Sequence, residues 1–107
     1  MPIKLRTKRP DRILKQIVAA LEEYQAAHPQ AEIEAYRQNS VSVRVRIIDP
    51  DFADKGRVQR EDEIWPYLER LPEETAQEIS LLLLFAPGEP AKSGSNMEFD
   101  NPTLPKL

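Results

Sequence analysis

The chain is expected to fold as an α+β domain in the order α-β-β-α-(α)-β, a three-stranded mixed sheet with its helices packed on one face. Three patterns predict this: an early apolar stripe of helical spacing, two alternating runs across a polar break, and a continuous apolar run near residue 80. Packing helices over such a sheet is the simplest way to bury all three.

The first helix is expected over 11–27. Ile13, Leu14, Ile17, Val18, Leu21 and Tyr24 recur every three or four residues, Asp11 stands as N-cap beyond Pro10, and His28-Pro29 ends the helix. Ala31, Ile33 and Ala35 then alternate with Glu32 and Glu34, and Val41, Val43, Val45 and Ile47 alternate with Ser42, Arg44 and Arg46. With Gln38-Asn39 between them, these runs read as an antiparallel hairpin. Asp49-Pro50-Asp51 signals a turn into a polar loop reaching about Arg57.

A second helix carries Val58, Ile64, Trp65, Leu68 and Leu71. Pro66 fits most easily in a first turn, so the expected start is near residue 62. Pro72-Glu73-Glu74 begins a short helix running to Glu78, with acids at the positive end of its dipole. The run from Ile79 to Phe85, closed by Pro87-Gly88, reads as a central strand buried on both faces. Residues 1–10 are expected to be a flexible basic arm, 11–87 one domain, and 88–107 a flexible tail rich in Pro, Gly, Ser and Asn.

With 107 residues, 40% of them hydrophobic and 31% charged, the chain can bury one two-layer core but no deep enclosed active site. The absence of cysteine excludes disulfides, thiolate nucleophiles and any cysteine-ligated metal centre built by this chain alone. The apolar runs are far shorter than the roughly 20 residues that span a bilayer, and no export signal is read, so a cytoplasmic protein without membrane contact is expected. Net charge is −3, yet residues 1–15 hold six basic side chains against Asp11, and residues 61–78 hold seven acids against Arg70. The isoelectric point near 5.2 lies well below that of a strongly basic nucleic-acid binder, so phosphate binding would need a local patch.

Catalytic and metal-binding signals are weak. His28 has no second histidine or cysteine beside it and reads as a helix end. Asp49, Asp51 and Asp54 lack the calcium-loop pattern, because Ala53, Asp54 and Arg60 stand where an oxygen ligand, glycine and glutamate belong, and they read as turn residues. Glu61 with Glu63, and Glu73 with Glu74, accompany no nucleophile and read as solvated helix surface. Arg44 and Arg46, with Arg37 on the neighbouring strand, form a candidate basic patch on the open side of the sheet, unless cross-strand pairing with Glu32 and Glu34 neutralises it. Trp65 is expected in the core, and Tyr67 is a candidate partner anchor.

The chain resembles the BolA-like family, related to KH-type nucleic-acid-binding domains, over residues 13–89. The resemblance rests on 41–48 (Val-Ser-Val-Arg-Val-Arg-Ile-Ile), Phe52, 55–60 (Lys-Gly-Arg-Val-Gln-Arg), Leu81-Leu82-Leu83 and Pro87-Gly88-Glu89. It implies the BolA-like fold and a partner of the monothiol glutaredoxin class. In that family an Arg-His pair opens the second helix and a His-Ala-Leu segment opens the last strand, the latter histidine ligating a shared [2Fe–2S] cluster. Here those places read Arg60-Glu61 and Ile79-Ser80-Leu81, and the loop that supplies the family's variable ligand reads Gln38-Asn39-Ser40. No cofactor is therefore expected.

The expected function is that of a non-enzymatic adaptor or regulator binding a protein partner through Phe52, Lys55, Gly56, Arg57, Arg60 and Tyr67. The alternative is a KH-related nucleic-acid-binding module. It would hold phosphates with Lys4, Arg6, Lys8, Arg9 and Arg12 of the arm and with Arg37, Arg44 and Arg46, although the G-x-x-G loop of a KH grip is absent from the sequence.

Overall fold

The computed structural model describes residues 3–90 and 93–102. The elements are β1 (Ile3–Leu5), α1 (Arg12–Ala27), β2 (Glu32–Asn39), β3 (Ser42–Ile48), a 3-10 turn (Pro50–Phe52), α2 (Arg57–Leu68), α3 (Glu73–Ala76), β4 (Ile79–Phe85) and α4 (Gly94–Asp100). The sheet has four strands in the order β1-β2-β3-β4, where three were expected; β1 pairs parallel to β2, β2 antiparallel to β3, and β3 parallel to β4. The extra strand lies inside the segment read as an arm. Ile3-Lys4-Leu5 is too short to register as an alternating run, and what fixes it is docking on β2, where Ile3 is buried and the Arg6 N–H donates to the Ala35 carbonyl at 3.1 Å.

The hairpin pairs Ile33 with Ile47 and Ala35 with Val45. That register sends their side chains to one face, where they meet Leu14, Ile17 and Leu21 of α1 and Ile64 and Leu68 of α2 in the core. The turn from α1 is closed by Gln25, whose Nε2 donates to the Ala31 carbonyl at 2.8 Å. Asp11 takes the N-cap position, but its carboxylate accepts from Arg37 Nε and Nη2 at 3.0 and 2.8 Å instead of capping α1, and this guanidinium holds the carboxyl below its usual pKa.

The second helix begins at Arg57, five residues before the expected start, and carries Pro66 in its interior. The carbonyl that Pro66 leaves without a donor belongs to Asp62, and both residues are solvent-exposed, so the break in the ladder faces water. Gln59 Oε1 accepts from the Gly56 N–H at 2.9 Å and secures the first turn.

The helices do not all share one face. Within the segment read as a tail, α4 lies on the side of the sheet opposite α1 and α2, over Tyr36, Arg44 and Arg46. Phe99, fully buried, meets the Tyr36 ring edge-on at 4.9 Å, with the Arg6 and Arg46 guanidinium groups each 4.7 Å from its centroid. An isolated phenylalanine in a polar segment carries no periodicity, which is why α4 could not be read from sequence. Seven residues cannot sustain a helix alone, so α4 depends on this docking. Phe99→Ala removes contacts worth about 3–5 kcal/mol. We expect it to undock α4 and leave the rest of the fold in place, seen as fast amide exchange confined to 94–100.

Candidate functional site: the groove between α2 and β4

The last strand is an edge strand and not the central one expected. Among the described residues β3 is its sole strand neighbour, and Leu81 to Phe85 are all partly exposed. Beside it runs a groove of about 710 Å³ walled by Lys55, Gly56, Arg57, Arg60, Glu61 and Trp65 on the α2 side and floored by 80–85.

Arg60 builds the upper end of this groove. Its Nε donates to the Lys55 carbonyl and its Nη1 to the Leu84 carbonyl, both at 2.9 Å. Its two terminal nitrogens also grip the Glu89 carboxylate at 2.6 and 3.0 Å, a forked pair that fixes the guanidinium plane. Glu89 is brought there by the turn after β4: Gly88 has φ +91°, the left-handed conformation that glycine accepts without strain, and the Glu89 N–H returns to the Ala86 carbonyl at 3.1 Å. Arg60 thus ties the loop before α2 to the end of β4. Lys55 pairs with Glu63 at 2.6 Å, which raises its pKa above the usual lysine range.

Four of the six expected partner-contacting residues, Lys55, Gly56, Arg57 and Arg60, line the groove. The other two do not. Phe52 is fully buried in the core under the Arg60 guanidinium, and Tyr67 packs edge-on against the Tyr24 ring at 5.4 Å. Trp65, expected in the core, is 39% exposed and stands in the groove wall. Its exposure follows from the rotation of α2, which turns Ile64 and Leu68 inward.

The expected basic patch is divided between partners and faces. Arg37 pairs with Asp11 and Glu78, and in register it opposes Val43, so it lies on the helix-covered face away from Arg44 and Arg46. Arg44 pairs with Glu98 at 2.6 Å, and Arg46 with Glu34 and Asp100 at 2.9 and 2.7 Å. Arg6 pairs with Glu34 and lies 4.0 Å over the Tyr36 ring. The cross-strand neutralisation weighed from sequence is thus present for Arg46, while the acids of α4 complete it. Lys4, Lys8, Arg9 and Arg12 are exposed and form no ion pair among the described residues.

A second polar cluster lies away from the groove. Asp49, 1% exposed, accepts from the Tyr24 hydroxyl at 2.6 Å and from the Asp51 N–H at 2.9 Å, while His28 Nδ1 stands 3.2 Å from Asp49 and 3.1 Å from Asp51. His28 also stacks on the Tyr24 ring at 4.1 Å. The carboxylate oxygens of Asp49 are taken up by these donors, so the cluster ties the end of α1 to the turn after β3, and Asp49 caps that turn as its sequence context implied.

Comparison of the chain with protein-family models, with curated proteins and with solved structures finds no match. No helix among the described residues is long and apolar enough to cross a membrane.

Proposed function

We propose that the protein is a small non-enzymatic adaptor of BolA-like fold, acting in the cytoplasm. It binds a protein partner of the monothiol glutaredoxin class along the α2–β4 groove and ligates no cluster itself. The observation that carries this reading is the partly exposed apolar edge strand, Ile79 to Phe85, beside a wall holding an exposed tryptophan and arginine. Exposed strand edges pair with other chains, and aromatic and arginine side chains anchor such contacts. The inner order α1-β2-β3-α2-α3-β4 supports the BolA-like part of the reading. The carboxylate partners of Arg6, Arg37, Arg44 and Arg46 weigh against the nucleic-acid alternative, which would rest on Lys4, Lys8, Arg9 and Arg12.

An amide NMR titration with a monothiol glutaredoxin, and separately with a short DNA duplex, tests the reading. Glutaredoxin is expected to move Gly56, Arg57, Leu82 and Leu84, while the duplex leaves them unmoved. A spectrum that ignores glutaredoxin overturns the proposal, and duplex-induced shifts at Lys8, Arg9 and Arg12 that fade with salt would establish the alternative.

A further inference from the structure

We infer that His28, Asp49 and Asp51 bind a divalent transition-metal ion, zinc fitting best, which pins the end of α1 to the turn after β3. The site lies away from the α2–β4 groove and does not rest on the adaptor reading. Sequence spacing hides it, because Asp51 stands 23 residues from His28 and only the fold brings carboxylates to the imidazole.

The backbone sets each ligand in place. His28 is the C-cap of α1, and its N–H donates to the Tyr24 and Gln25 carbonyls at 2.9 and 3.1 Å. Its ring stacks on the Tyr24 ring with 8° between the planes, which fixes the direction of Nδ1. Asp49 is held by its own N–H on the Phe85 carbonyl at 2.9 Å, and its Oδ1 accepts from the Asp51 N–H at 2.9 Å. Nδ1 and one oxygen of each aspartate thereby converge, all three atoms lying within 4.8 Å of one another.

A single imidazole proton cannot serve both carboxylates. The 3.1 Å contact of Nδ1 with Asp51 Oδ2 has hydrogen-bond geometry, whereas Asp49 Oδ2 stands 3.2 Å from the same nitrogen without it. Asp49 is buried, and Oδ2 accepts from the Tyr24 hydroxyl at 2.6 Å. A carboxylate oxygen carries two lone pairs, so one is left beside the nitrogen. With its proton on Nε2, the imidazole adds the Nδ1 lone pair, and three electron-rich atoms then meet at one point. A cation satisfies all three at once.

The spacing fits such an ion. Ligands held at roughly 2.0–2.2 Å from zinc lie about 3.3–3.6 Å apart in a tetrahedral shell and about 2.8–3.1 Å apart in an octahedral one. The two edges from Nδ1, 3.1 and 3.2 Å, fall in that span. Asp51 has a side chain 63% exposed, so it is free to close the third edge, and water reaches the outer positions of the ion. The Tyr24 hydroxyl supplies the outer hydrogen bond that orients a ligating carboxylate. A nitrogen donor among the ligands favours zinc and its transition-metal neighbours over calcium and magnesium, which take oxygen.

Zinc chloride titrated calorimetrically into the untagged full chain, with nitrogen NMR of the imidazole, tests the inference. His28 is the chain's one histidine, so both ring-nitrogen signals belong to it. One zinc per chain is expected, with the Nδ1 resonance shifted, the Nε2 proton retained and the Tm raised. His28→Phe keeps a ring to stack on Tyr24 and is expected to lose binding. Asp51→Ala leaves the Asp49 and Tyr24 contacts in place, and its affinity is expected to fall by at least ~10-fold, the loss found even for outer contacts of metal ligands. Absence of saturable binding, coordination through Nε2, or an unchanged affinity in Asp51→Ala overturns the inference. Calcium or magnesium saturating the site as tightly as zinc overturns the assignment of a transition metal.

Discussion

Replacing Phe52 by alanine is expected to cost about 3–5 kcal/mol of folding stability, read as a shift in urea unfolding followed through the single tryptophan, Trp65. The ring is fully buried, lies 6.5 Å from Tyr24 and sits beneath the Arg60 guanidinium. Its removal leaves a void between the turn after β3 and the start of α2, where Asp49 and Arg60 hold both neighbours in place and limit collapse into the space. The same position was a candidate partner contact from sequence, and the two roles separate in one measurement. A destabilised but folded Phe52→Ala protein should keep its glutaredoxin-induced shifts in the groove, whereas a direct contact residue would lose them at unchanged stability.

The Asp49→Ala variant is expected to lose about 3 kcal/mol. This carboxylate is nearly inaccessible, accepts from the Tyr24 hydroxyl and the Asp51 N–H, and stands 3.2 Å from His28 Nδ1, so its deletion strands a buried phenol without an acceptor and removes the cap of the following turn. Tyr24→Phe, which removes only the donor, should cost less, about 2 kcal/mol. The pair also gives an alkaline signature. Burial, followed by the hydrogen bond to Asp49 and its negative charge, pushes the Tyr24 phenol well above its ordinary pKa of 10.0. The folded chain then keeps a proton that the unfolded chain releases. The stabilisation is complete below pH 10.0 and declines as pH climbs above it toward the folded value. Urea unfolding measured on both sides of that pH should show the decline in the wild type and less of it in Tyr24→Phe. Equal declines in the two proteins would refute the role given to this hydrogen bond.

The inner framework was legible in the chain: α1, the β2–β3 hairpin, α3 and the strand at residues 79–85. Their periodicities are local properties of the chain, and the side chains that carry them, from Leu14 and Ile17 to Val43, Val45 and Ile47, are the ones that reach the core. Asp49 was legible as a turn residue for the same reason. The start of α2 was misplaced because Pro66 was judged against a local rule, while packing of Ile64 and Leu68 holds the helix through it.

Where these elements lie relative to one another is set by long-range packing. The continuous apolar run of β4 is written alike for a central strand and for an edge. Its place at the end of the sheet follows from β1 joining the far side of β2, an event that three residues of local sequence could not announce. The partners of the sheet arginines are equally long-range: Glu98 and Asp100 lie 54 residues from Arg44 and Arg46, and α4 forms only when that face exists to receive Phe99. Periodicity tells a residue which way to turn, whereas the groove and its exposed backbone exist only once the strands have chosen their neighbours.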